Sequence, residues 1–352
     1  MENEIIFNGL YVRIDWLEFT ITEYDRKIGL VDSVYSIINS FGIPSDLMDI
    51  TGRGGIGYKN SVKHLYENIQ VFFQGTDEMG IHVRVSGSAI KYALQCFLNN
   101  YQVDSPFGKC FEIDDVSMPY VLSQYMLKVL SLGHFTRIDV AIDDLGVNYF
   151  SVDEIYKYFD DELVSSKFKV WDSNKGSTLD GKLRGFTVYV GSRESDVFLR
   201  IYDKMLEQDI KLPWVRWEFE IKHAKADVFA KQVIDNNNIG ELAFGLLNEY
   251  MRIIIPTSTR KTRCKTLPKW DDFIGNVKKT KLSVSPAAKS YEKKIKWFKK
   301  QCLPTLSGII YAKGGDISFL GDSLELSFER LTAKDRILFE KAKEKECATD
   351  DI

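Results

Sequence analysis

The chain has 352 residues, 44% of them hydrophobic and 28% charged, with a formal net charge of −3. Those are the proportions of an ordinary soluble globular protein with one large or two modest domains, and they exclude fibrous and disordered classes. No apolar run approaches the ~20 residues needed to cross a bilayer, which excludes a membrane pore or integral anchor.

The five cysteines (Cys96, Cys110, Cys264, Cys302 and Cys347) form no C-x-x-C pair, and the charged start leads into no apolar signal segment. A reduced, cytoplasmic protein is therefore expected.

Taken in chain order, apolar periodicity predicts a strand over residues 11–20, a helix over 30–41, strands over 69–74 and 81–86, and a helix over 89–98. A helix over 121–131 leads into a strand over 135–143, and a helix over 152–159 precedes strands around Phe168, Val188, Ile201 and Phe219. Helices over 228–234 and 241–252 follow. This is an α+β pattern: an antiparallel-rich central sheet with helices on one side. The recurrence of Arg-Ile-Asp at Arg13 and Arg137 points to two duplicated halves. Pro, Thr and Ser cluster with basic residues at 256–268, which sets an expected boundary between a domain over 1–255 and a basic, mainly helical region over 256–352.

Three of the strands share an unusual outer face. Over 135–143, Ile138, Val140 and Ile142 alternate with Arg137, Asp139 and Asp143; over 214–222, Val215, Trp217, Phe219 and Ile221 alternate with Arg216, Glu218, Glu220 and Lys222. Over 197–204, Arg200, Tyr202 and Lys204 share one face, a phenol between two cations. If these strands join one sheet, their polar faces form a charged floor. It would hold carboxylates for a divalent cation, cations for phosphates and a tyrosine nucleophile, the components of metal-assisted phosphoryl transfer. For Tyr202 alone, an amphipathic strand with a half-buried tyrosine is the plainer alternative. Tyr189, which shares a face with Thr187 and precedes Arg193, is a second candidate nucleophile; Tyr202 is preferred because Arg200 and Lys204 would ease formation of its phenolate.

Thr136-Arg-Ile-Asp-Val-Ala-Ile-Asp, then Tyr189-Val-Gly-Ser-Arg-Glu-Ser-Asp running into Phe198-Leu-Arg-Ile-Tyr-Asp-Lys, then Arg216-Trp-Glu-Phe-Glu-Ile-Lys resemble, in order, the signature of the Rep_trans family. That family contains rolling-circle replication initiators of small Gram-positive plasmids and NicK-type relaxases of integrative conjugative elements. The resemblance includes the opening strand from Arg13 to Thr20 and spans residues 10–250. It implies Tyr202 as the nucleophile, an acidic metal site on Asp139 and Glu218 with Asp143 and Glu220 as neighbours, and Mg²⁺ or Mn²⁺ as cofactor. Implied partners are origin DNA (a single-stranded or hairpin nick site with flanking duplex), a host helicase and a second copy in a homodimer. The four histidines are scattered with no His-x-His pair, so a bound cation would be held by oxygen. Two other functions fit the residues: a DNA-binding initiator module without cleavage activity, and a nuclease that uses metal-activated water.

Charge is segregated along the chain. Residues 260–300 hold fourteen Lys or Arg against three acids, a local +11 that leaves −14 elsewhere. Ser285-Pro286 reads as the start of a helix with Ala288, Tyr291, Ile295, Phe298 and Cys302 on one stripe and Lys289, Lys293, Lys296 and Lys300 on another. Such a face marks either a polyanion contact or a solvated lysine surface; interleaved Trp270, Tyr291 and Trp297 favour nucleic acid. The Gly-rich loop at 52–57 matches no nucleotide-binding motif, but Arg53 and Tyr58 could meet DNA at a hairpin tip. Arg137, Tyr189, Arg193, Arg216, Lys293, Lys296 and Lys300 complete the expected DNA contacts.

Overall fold

The computed structural model describes residues 5–7, 9–25, 27–76, 79–101, 113–114, 117–208, 212–275, 277–284, 294–295, 297–331, 336 and 339. The first half contributes strands β1 (Ile5–Phe7), β2 (Leu10–Ile21), β3 (Met48–Ile50), β4 (Asn60–His64), β5 (Ile69–Phe73) and β6 (Ile81–Ser86). With them are helices α1 (Leu30–Ser40), α2 (Ala89–Tyr101) and α3 (Met118–Leu132). The second half contributes β7 (Gly133–Leu145), α4 (Val152–Asp160), β8 (Val164–Ser166), β9 (Trp171–Ser177), β10 (Leu183–Val190), β11 (Val197–Asp203), α5 (Lys204–Gln208) and β12 (Trp214–Lys222). Then come α6 (Ala224–Asn236), α7 (Ile239–Tyr250), β13 (Met251–Ile255), β14 (Lys265–Thr266) and α8 (Pro268–Ile274).

The described residues form an eleven-stranded sheet in the order β3-β4-β5-β6-β2-β7-β12-β11-β10-β9, with β1 on the end of β2. Its pairings are antiparallel. The two long strands β2 and β7 lie side by side at the centre, and each is followed by a helix and a meander whose last strand, β6 or β12, returns to pair with it. The halves thus follow one path twice, as the repeated Arg-Ile-Asp suggests. A bulge between Ile14 and Trp16 sets them apart by removing Asp15 from the register with β7.

Period-two alternation gives the sheet its two faces. The apolar face, with Leu17, Phe19, Val140, Ile142, Trp217 and Phe219 buried, packs against α1, α2, α3, α6 and α7 in one core. Trp217 is fully enclosed, its ring 5.2 Å from Phe273 and 5.8 Å from Trp270. Trp270 is accordingly a core residue at 1% exposure and presents no ring to nucleic acid, contrary to its expected place among the interleaved aromatics.

The first compact unit runs from Met1 to Ser283, past the expected boundary at 255, because α8 sends Trp270 and Phe273 into this core. The expected helix over 241–252 stops at Tyr250, where the β-branched run Ile253, Ile254, Ile255 extends into β13 and pairs with β8. Phe168 lies between β8 and β9 instead of in a strand, its ring 5.1 Å from Tyr250. The second unit spans Val284–Ile352. Among its described residues are a π-helical turn over Phe298–Cys302 and helices over Leu303–Ala312 and Phe319–Glu329. Ser285, Pro286, Ala288, Lys289, Tyr291, Lys293 and Lys296 lie outside the described residues; Lys300 and Trp297 are exposed. Among the described residues no helix is long and apolar enough to cross a membrane.

Candidate active site

The polar face of β2, β7, β12 and β11 carries the charged floor, and strand register decides which groups meet. Arg200 on β11 is opposite Glu218 on β12, and Tyr202 is opposite Arg216. Across the next pairing, Arg216 faces Asp143, Glu218 faces Ala141, Glu220 faces Asp139 and Lys222 faces Arg137. The small Ala141 leaves space beside Glu218. Into it turn Asp139 and Arg200, whose Nη2 donates to Asp139 Oδ2 at 3.3 Å and to Glu218 Oε1. The other oxygen of Glu218, Oε2, accepts the hydroxyl proton of Tyr202 at 2.8 Å. The fold therefore joins Tyr202, Glu218, Arg200 and Asp139 in one cluster drawn from three strands.

Lys204 opens α5 instead of continuing β11, and its Nζ lies 5.5 Å from the Tyr202 ring centre, over the ring face. Tyr189 is opposite Arg200 in register, but its ring stacks on Phe198 at 6.0 Å and is capped by the Arg193 guanidinium at 5.4 Å. Of the two tyrosines, Tyr202 is the one whose hydroxyl is shown donating to a carboxylate of the cluster.

The remaining expected acids are engaged elsewhere. Asp143 accepts from Arg216 at 2.7 and 2.9 Å and from Trp214 Nε1 at 2.6 Å, and it lies 2.9 Å from Arg13. Glu220 is held by Arg137 and Lys222, each at 3.0 Å. Neither converges on Tyr202, so the structure does not bring them into the expected metal site. Arg216 is 2% exposed and also donates to Asp15 at 3.0 Å, which leaves it little freedom to contact DNA as expected. Arg137 chelates Asp139 at 2.6 and 2.8 Å and lies 4.6 Å from the Trp16 ring centre. Tyr58 is buried against Phe72 and His82, away from the surface contact expected of it, whereas Arg53 is exposed.

Burial pushes the Asp139 carboxyl up to about 7, with Glu218 adding to the rise and Arg137 and Arg200 opposing it. Burial alone would depress the Arg200 guanidinium, yet Glu218 and Asp139 raise it. Asp139 and Glu218 thus aim anionic oxygens from two strands at one positive nitrogen. In charge and donor type this pair fits a small hard cation, with the guanidinium as its present occupant. Among the described residues no group of three metal-ligating side chains forms, so water and phosphate would have to complete any coordination shell.

Comparison with known proteins accords with this arrangement. The model of Rep_trans, described as "Replication initiation factor", matches residues 133–322, which include β7, β11 and β12. The chain belongs to the Rep_trans family. A relative from Bacillus subtilis (strain 168), described as "Putative DNA relaxase NicK", is 26% identical over 325 residues, covering 88% of this chain and 84% of the relative. A solved structure described as a rolling circle replication initiator protein from Geobacillus stearothermophilus superimposes with a TM-score of 0.62 at 25% identity, covering 78% of this chain and 99% of that one.

In this Rep_trans chain the polar face continues into the first half, through residues whose role the strand motifs do not announce. Glu18 meets Arg84 at 2.5 Å, and Arg84 lies 5.5 Å from Trp16 and 5.2 Å from Phe72. The signal available was the alternation of Trp16 and Glu18 along an otherwise apolar strand. Beside them His82 is buried, with Nδ1 3.0 Å from Thr20 Oγ1, and burial pulls its imidazole down to about 4. The histidine is therefore neutral when folded at pH 7, and its contribution to stability is fully present above the unfolded value of about 6.5. It is lost as pH falls toward 4. Urea unfolding at pH 7.0 and 4.5 should show His82→Gln losing roughly 2–3 kcal/mol less on acidification than the wild type; equal losses would show that the imidazole is not held neutral.

Proposed function

We propose that the chain nicks and rejoins one strand of an origin DNA, with Tyr202 as the attacking oxygen. The observation that carries this reading is the 2.8 Å hydrogen bond from the Tyr202 hydroxyl to Glu218, beside the Arg200 guanidinium, in a chain of the Rep_trans family. Family membership supports a DNA nicking-closing enzyme of the relaxase and initiator class; plasmid replication and conjugative transfer share the chemistry.

The steps follow from the cluster. Glu218 accepts the phenolic proton as the Tyr202 oxygen attacks the scissile phosphorus. The bond from phosphorus to the 3′-oxygen breaks, and that oxygen takes a proton from solvent. A free 3′-hydroxyl and a 5′-phosphotyrosyl enzyme result. Arg200 and Lys204 answer the charge developing on the phosphate oxygens. The phosphotyrosyl bond retains the energy of the phosphodiester, so the reverse attack by a 3′-hydroxyl reseals the strand. Asp139 and Glu218 would hold the divalent ion, Mg²⁺ or Mn²⁺, which when bound supplies polarisation of the scissile phosphate.

Tyr202→Phe should abolish the covalent protein–5′-DNA product on a denaturing gel while leaving single-stranded DNA binding within a few fold. Glu218→Gln should slow cleavage by about 10²–10⁴-fold. A covalent product that persists in Tyr202→Phe and disappears in Tyr189→Phe would transfer the nucleophile to β10.

Chelation tests the cation directly. EDTA should silence the wild type, and titration with Mn²⁺ should restore cleavage at a higher ion concentration in Asp139→Asn than in the wild type, because an amide is a weaker ligand for a hard ion. Undiminished cleavage in excess EDTA would leave Asp139 as an ion-pair partner of Arg137 and Arg200 alone.

The basic stretch beyond residue 256 is proposed to hold flanking duplex. Replacing Lys293, Lys296 and Lys300 with Gln should lower the slope of log affinity against log salt, by roughly 0.9 for each phosphate that is no longer neutralised. Cleavage of a short single-stranded site should be unchanged, and an unaltered slope would identify these lysines as a solvated surface.

A further inference from the structure

We infer that the β9–β10 hairpin is a wedge that seats where duplex DNA opens into the single strand leading to Tyr202. The hairpin runs past the end of its neighbour. β10 pairs with β11 from Val190 back to Thr187, which is opposite Tyr202, whereas from Phe186 to Leu183 it pairs, among the described residues, with β9 alone. The extension projects: Ser173 aside, every residue of β9 is exposed. Lys175 fixes its base, donating to Asp153 at 3.0 Å and lying 4.7 Å from the Phe186 ring centre.

The tip is a defined corner. Thr178 N donates to Lys182 O at 2.8 Å and Gly181 N to Thr178 O at 3.0 Å, with Gly181 at φ +85°, a type I turn closed by a left-handed glycine. Leu179 stands at the corner, and at 110% relative exposure it is the most exposed large apolar side chain among the described residues. A lone exposed leucine is ordinary on a protein surface. Here, however, it is flanked by Lys182 and Arg184, both exposed and, among the described residues, without a carboxylate partner, and the tip carries one acid, Asp180. An apolar point on a basic stem is suited to a junction: the leucine abuts the last base pair, and the two cations hold phosphates beside it.

The way from the tip to Tyr202 is open, and this continuity favours DNA over a protein partner. On the face that carries Tyr202, the next residues across β10 and β9 are Thr187 and Asn174, followed toward the tip by Gly185 and Gly176. A Cβ at either glycine would meet nothing within 4 Å. The face is therefore bare of bulky side chains over the roughly 20 Å, at ~3.3 Å per strand residue, that separate the tip from the tyrosine. The assignment rests on the proposed nicking function for the presence of a single strand at Tyr202.

The test uses a forked duplex with two unpaired arms and 2-aminopurine, which brightens on unstacking, in the last base pair. The full chain is titrated in EDTA so that the strand stays intact. A saturable rise in fluorescence is expected, and Leu179→Ser should reduce it at least fivefold while fork binding, read by anisotropy, stays within twofold. Lys182→Gln with Arg184→Gln should weaken fork binding at least fivefold and lower the salt slope by roughly 0.9 for each phosphate released. Melting temperatures should be unchanged, since all three residues are exposed. Absence of a rise, an equal rise in Leu179→Ser, or unaltered fork binding in the double variant would overturn the assignment. A change of oligomeric state in Leu179→Ser with fork opening intact would overturn it too, in favour of a contact between copies. The covalent product of Tyr202 is scored separately with Mn²⁺: a chain that forms it without opening the fork rejects the wedge, and one that opens the fork without forming it rejects the nicking reading.

Discussion

Ten charged side chains on the polar face of four central strands neutralise one another, and the site depends on that balance. Arg13, Arg137, Arg200, Arg216 and Lys222 are paired with Asp15, Asp139, Asp143, Glu218 and Glu220. Several are nearly inaccessible, including Asp139, Asp143, Arg216 and Glu218. A buried charge without a partner costs several kcal/mol, so removing one member destabilises the face well beyond the worth of a single hydrogen bond. The lattice also fixes orientation: Glu218 spans Arg200 and Tyr202 because each of its oxygens has a donor on β11. A tyrosine on a solvated strand would have no comparable reason to keep its hydroxyl against a carboxylate.

The duplicated topology explains where the lattice is anchored and why it is lopsided. Arg137 and Asp139 lie two residues apart on β7 and chelate each other. The same spacing recurs at Arg13 and Asp15 on β2, yet the bulge before Trp16 turns that pair apart, sending Arg13 toward Asp143 and Asp15 toward Arg216. One irregular residue thus converts a second copy of the motif into a clamp on β12. Asymmetry between like halves places the cluster of Tyr202, Arg200, Glu218 and Asp139 in the second half and gives the first a clamp on it.

Much of this was legible in the residues. The period-two alternation over β7, β11 and β12 identified both faces and placed Arg200 and Tyr202 on the charged one. The Pro, Thr and Ser cluster near 255 resembles a linker locally, but the first compact unit continues to Ser283 because α8 buries Trp270 and Phe273 in the core. The resemblance implies Asp143 and Glu220 as neighbours of a metal site, but one polar face cannot reveal, from one strand, which partner each acid meets: Asp143 pairs with Arg216 and Glu220 with Arg137 and Lys222. Tyr58 was read at a hairpin tip, and packing against Phe72 and His82 removed it from the surface.

The sequence by itself determined the element types, the charged face and the residue kinds available on it, since alternation and composition are local properties of the chain. Only the tertiary structure decided which of those residues meet. Strand order and register are set by contacts between segments far apart in sequence, and a shift of one residue would reverse every side chain to the other face. Placing Ala141 opposite Glu218, and Arg200 on its other side, is such a decision: it opens the space in which Asp139, Arg200, Glu218 and Tyr202 converge.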